Sequence, residues 1–211
     1  MARRSIRGDL LRRALAQEAA RIIVDHGVDD YLFAKRKAAE RMGVTDHAVL
    51  PKNTEIEEAI AEHQRLFGSR SHAGELAELR RQAVEAMKLL AEFEPRLVGP
   101  VLSGTATPHT EILLHLFADT PETVSIRLLD RHVRHRVGER RVKFLREESL
   151  AFPSIQFASG GHDVDAIIFP TDGIRQSPLS PVDGKPMRRA TLEEVEALAD
   201  LEDAGPALTQ S

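Results

Sequence analysis

The chain has 211 residues, enough for one larger domain or two small ones. With 42% hydrophobic, 29% charged and only 4% aromatic residues, it has a globular composition whose core must come from Leu, Val, Ile and Ala. The lack of cysteine excludes disulfides, thiolate metal sites and a Cys nucleophile, and the net charge of -4 gives no overall drive toward nucleic acid or membrane. No apolar run is long enough to span a bilayer. The Arg-rich N-terminus carries Asp9, Glu18 and Asp25, which argue against an import signal and for the first amphipathic helix of a cytoplasmic protein.

Helices come first. Leu10, Leu11, Leu15, Ala19, Ile22 and Ile23 recur at helical spacing and Gly27 closes the run. Asp29 is the predicted cap of a second helix that ends near Met42–Gly43, and Asn53 or Thr54 caps a third that Gly68 stops. A fourth helix is expected from about His72 to Phe93, with Leu76, Leu79, Ala83, Met87 and Leu90 as its stripe and Pro95 just beyond.

The period then changes to two. Strands are expected in "RLVGPVLSG", "EILLHLFAD" and the pair in "PSIQFASGGHDVDAIIFP", whose Ser-Gly-Gly reads as a hairpin turn. A helix capped by Thr120 with Pro121 in its first turn follows the second strand, and "RHRVGERRVKF" reads as a hairpin turning near Gly138. Residues 172–189 form a Pro-, Gly- and Ser-rich loop, and Thr191 caps a last helix. The pattern predicts an α+β fold: a helical region over 1–71, a mixed sheet with flanking helices over 72–171, and a loop and C-terminal helix over 172–211 that pack on it.

Two stretches carry Gly and Ser in a pattern that suggests nucleotide chemistry. "RLFGSRSHAGE" lies between helical segments, so its Gly68-Ser69 reads as a helix stop. "LVGPVLSGTATPHTEILLHLFAD" has the strands: one ends at Ser103-Gly104-Thr105, and the next carries Glu111. This layout resembles the core of the polymerase-β-like nucleotidyltransferase superfamily over roughly residues 72–170. The resemblance implies nucleoside triphosphate binding and Mg²⁺-dependent transfer of a nucleotidyl group to a protein, RNA or small-molecule hydroxyl. It places Ser103, Gly104 and Thr105 at the phosphates and Glu111 and Asp165 on metal. The sequence departs from the family where a second acid is expected, since Leu113 stands there. The competing reading is a catalytically degenerate relative that binds nucleotide, nucleic acid or protein without transfer.

Alternation places Glu111, Leu113, His115 and Phe117 on one side of their strand, and family-like pairing would add Asp165 to that face. His115 is therefore a third candidate catalytic residue, the centre of a different chemistry; the competing reading is a hydrogen-bonded, half-buried histidine with no catalytic part. Asp163 and Asp165 flank a hairpin, so one of them is expected at its rim. His109 and His162 lie in nearby loops, with no helical His spacing to support a histidine metal site. Arg3, Arg4, Arg7, Arg12 and Arg13, and Arg127 through Arg146, make two basic stretches that could contact nucleic acid or serve as solvated faces. Lys185, Arg188 and Arg189 could reach a phosphate from the long loop.

Overall fold

A computed structural model describes residues 2–28, 30–67, 70–144 and 149–203. Among these residues the chain forms seven α-helices and one five-stranded sheet, an α+β arrangement with the N-terminal helices preceding the sheet. It divides into two compact units. The first is residues 1–72 with the short segments Thr107–His109 and Pro181–Asp183; the second is the remainder.

The first unit is built from α1 (Ala2–His26), α2 (Tyr31–Arg41) and α3 (Asn53–Phe67). Leu15, Ala19 and Ile22 of α1 pack with Ala34 and Ala38 of α2 and Ile56 and Ile60 of α3, all of them buried. Alanine at these contacts allows close helix approach at little side-chain entropy cost. Leu10 is 62% exposed, one position off the row through Leu11, Leu15 and Ala19. Gly27 ends α1 with φ 62°, its N–H donating to Ile23 O, a left-handed exit that favours glycine. The cap of α2 is Asp30, whose Oδ1 accepts from the N–H groups of Leu32 and Phe33. The expected cap Asp29 and the Gly68-Ser69 stop lie outside the described residues.

The second unit contains α4 (Arg70–Leu89) from Ala73 onward, β1 (Arg96–Val98), α5 (Pro100–Ser103), β2 (Ile112–Phe117), α6 (Pro121–Asp130), β3 (His135–Val142), β4 (Leu150–Ser159), β5 (His162–Phe169) and α7 (Leu192–Asp203). The strand order is β1-β2-β5-β4-β3, with β2 and β5 parallel and every other pair antiparallel. Ile112, Leu114 and Leu116 of β2, Val164, Ala166 and Ile168 of β5, and Ile155 and Phe157 of β4 turn one face toward Leu79, Ala83 and Met87 of α4 and Val124 and Leu128 of α6. Burial of each Val, Leu, Ile, Phe or Met side chain there stabilises the fold by roughly 1.5–3 kcal/mol, before chain entropy is set against it. Thr191 and Glu194 cap α7 reciprocally: Glu194 N–H donates to Thr191 Oγ1 at 3.3 Å and Thr191 N–H to Glu194 Oε2 at 2.8 Å.

Two sequence expectations change here. The first strand does not reach Ser103-Gly104-Thr105. It ends at Val98, and Pro100 starts the short helix α5, because proline has the helical φ built in and needs no donor at a first turn. Gly138 is not a hairpin turn; it sits inside β3 opposite Ser154, and the strand continues to Val142. The Gly160-Gly161 turn between β4 and β5 is where the Ser-Gly-Gly signal put it.

Gly99 makes the exit from β1 with φ 73° and ψ -155°, a region open almost only to glycine. A Cβ there would also stand 3.0 Å from Leu113 Cδ1. Gly99→Ala should therefore destabilise the protein by about 1–3 kcal/mol, read as a lower midpoint in urea unfolding. An unchanged midpoint would show that the turn can relax.

Candidate functional site

The face of the sheet opposite α4 and α6 carries the polar chemistry. Parallel register sets Leu113 against Asp165, and antiparallel register carries the same row through Gln156 to Arg136. The next row is His115, Ile167, Ser154 and Gly138. Beyond it lie Phe117 and Phe169, with the Phe169 and Phe152 rings 4.8 Å apart. Leu113, His115, Asp165, Gln156 and Arg136 thus share one side.

Asp165 is 1% exposed, in the middle of β5 rather than at its rim, while Asp163 next to the hairpin is exposed. Its Oδ2 accepts from Arg140 Nε. The same guanidinium donates from Nη2 to Glu111 Oε2 at 3.1 Å, so Asp165 of β5 and Glu111, which stands just before β2 rather than on it as expected, meet on one arginine. Arg140 reaches them from β3, across β4. Asp165 Oδ1 is buried and has no hydrogen-bond partner. Leu113 lies against Gly99 and adds only hydrocarbon to the wall where a further carboxylate would help hold a cation. Among the described residues there is no group of three or more His, Asp or Glu placed to hold a metal ion.

His115 is also 1% exposed, with its ring edge-on to Phe169 at 4.8 Å. Its Nδ1 accepts from Arg189 Nε at 3.0 Å, which leaves the neutral ring's proton on Nε2. Burial first, and then the Arg189 charge, lower its pKa to about 3. His115 thus stays neutral through the physiological range with its accepting nitrogen already engaged, an arrangement that holds structure rather than taking up a proton. Arg189 lies over Phe117 and Phe169 at 5.0 and 5.3 Å from their ring centres and donates from Nη1 to the carbonyls of Gly173 and Ile174. Burial, followed by the nearby Arg96 charge, lowers its pKa to about 10.

Ser103, Gly104 and Thr105 lie elsewhere than a strand end. They close α5, with the Ser103 and Thr105 hydroxyls bonded to each other at 2.8 Å and Gly104 as a left-handed C-cap at φ 84°. Buried Arg80 of α4 secures this segment by donating to Val101 O and Leu102 O. His109 is exposed in the segment grouped with the first unit. Arg127 pairs with Glu92, while Arg131, Arg134, Arg136 and Arg141 are exposed, and Arg146 lies outside the described residues. Lys185 and Arg188 are exposed on the long loop, in contrast to Arg189. Sequence reasoning missed Arg140 and Arg189 as members of this face. Arg140 stood within a basic run, and nothing local marks either residue as the partner of β2 or β5.

The buried neutral His115 makes stability depend on pH. Its folded pKa of about 3 lies below the ordinary histidine value of 6.5, so its contribution is complete above pH 6.5 and is lost as pH falls toward 3. Within that window the slope should approach about 1.4 kcal/mol per pH unit. His115→Gln, which retains an acceptor for Arg189, should flatten this part of the stability–pH curve in urea titrations from pH 7 to 4. An identical curve in the variant would remove His115 as its cause.

Comparisons of the chain with protein-family models, with characterised proteins and with solved structures find no match.

Proposed function

We propose that the protein is a nucleotidyltransferase-like binding module that takes a nucleotide or related phosphate ester on the Asp165 face without transferring it. The observation that carries this reading is the Glu111–Arg140–Asp165 bridge. Two-metal transfer requires carboxylates free to hold two dications around the reacting phosphate. Here the two acids share a guanidinium, and Leu113 occupies the position of a further ligand, so the residues do not fit such a centre. Arg136, exposed in the same row as Asp165, supplies a cationic donor toward phosphate, and guanidinium groups match phosphate oxygens in planar pairs.

A second reading keeps Mg²⁺-dependent transfer to an unidentified hydroxyl acceptor. It is favoured by the unpartnered Oδ1 of Asp165, a buried acceptor of the kind that a single Mg²⁺ uses together with substrate phosphates.

Thermal shift with each nucleoside triphosphate, in Mg²⁺ and in EDTA, separates the two, together with a labelled-nucleotide incorporation assay. The binding module is expected to be stabilised equally in both buffers and to incorporate no label. Stabilisation only with Mg²⁺, accompanied by label on any acceptor, would favour transfer. No shift with any nucleotide in either buffer would eliminate both readings.

A further inference from the structure

We infer that the Arg140 guanidinium is the resident cation of the seat formed by Glu111 and Asp165, and that a divalent cation can enter that seat only when the guanidinium leaves. This deepens the proposed reading of the face and rests on it only for the ligand, not for the seat itself.

A carboxylate as buried as Asp165 is costly unless a cation or hydrogen-bond donors compensate it. Its register neighbours cannot supply the charge, since Leu113 on β2 and Gln156 on β4 are both neutral. The compensation comes instead from the edge strand β3, by a side chain long enough to cross β4. Arg140 remains 44% exposed while the Asp165 side chain is only 2% exposed, so the cation enters from the solvent side and covers a buried anion. The guanidinium fork spends Nε on Asp165 and Nη2 on Glu111. These are the two carboxylates a dication would use.

A second observation marks the seat as a ligand position. Asp165 Oδ1 is buried and without a partner, so the seat has one acceptor more than Arg140 satisfies. Compensation is therefore incomplete at the buried carboxylate, and a cation of higher charge would find a ready acceptor. Such an ion would stand beside the guanidinium with like charge and compete for the same oxygens, so the two occupants exclude each other. Leu113 against Gly99 gives an incoming ion no further oxygen, which favours the guanidinium as the occupant.

The test uses the full chain and Mn²⁺ alone, with bound ion measured by loss of the free-ion paramagnetic resonance signal. Arg140→Gln should bind one Mn²⁺ at least tenfold more tightly than the wild type. Arg140→Gln combined with Asp165→Asn should lose that gain. Equal affinity in wild type and Arg140→Gln would overturn the inference, as would a gain that survives Asp165→Asn. If Arg140→Gln fails to fold, Arg140→Lys retains the charge but cannot fork onto both acids, and it too should bind Mn²⁺ more tightly than the wild type. Equal affinity there overturns the inference as well. Nucleotide is absent throughout, so a protein that fails to bind any nucleotide can still show the gain, and the two outcomes stay separate.

Discussion

The parallel register between β2 and β5 is the constraint on which the rest of the second unit depends. With Leu113 opposite Asp165, Ile112, Leu114 and Leu116 join Val164, Ala166 and Ile168 on the side of α4 and α6. A slip of one residue in either strand would turn its whole set over. It would drive Asp165 or His115 into the hydrocarbon core and put leucine or isoleucine on the polar face. The apolar side thus selects the register, and the register decides which polar groups are left to be compensated on the other side.

The two buried ionisable groups on that face, Asp165 and His115, are compensated in different ways. Asp165 is an anion and receives a cation, Arg140, in a pair whose value depends on the carboxylate being shut off from water. His115 is kept neutral by burial and takes a hydrogen bond from Arg189, whose charge is spread over two aromatic faces and two backbone carbonyls. That arrangement fastens the loop carrying Arg189 to the ends of β2 and β5. Arg189 is itself partly desolvated, which is why its pKa falls to about 10. Removing either arginine leaves its partner buried without compensation, so the integrity of this face depends on residues from an edge strand and a loop.

Much of the fold was legible because it follows local rules. The i, i+4 row through Leu11, Leu15 and Ala19 identifies α1, Thr191 announces the start of α7, and Ser159-Gly160-Gly161 marks the turn from β4 to β5. The errors have local causes too. Reading a strand through Gly99-Pro100 gave strand weight to Val101 and Leu102, whereas the proline starts a helix there. Gly138 reads locally as a turn because glycine punctuates chains, but in β3 it faces Ser154 within a continuous ladder. Alternation alone placed Glu111, Leu113 and His115 on one side, and pairing with β5 adds Asp165 to it.

Composition and period, which act over a few residues at a time, suffice for the helices-then-sheet order, the two faces of β2 and β5 and the apolar residue at position 113. Tertiary structure alone decided which cation meets which anion. Arg140 is 25 residues from Asp165 and Arg189 is 74 residues from His115. Such pairings leave no periodic trace, because they are chosen by strand order and side-chain reach. For the same reason Arg140 reads along the chain as one charge in a basic run, and becomes the partner of two carboxylates only once β4 lies between β3 and β5.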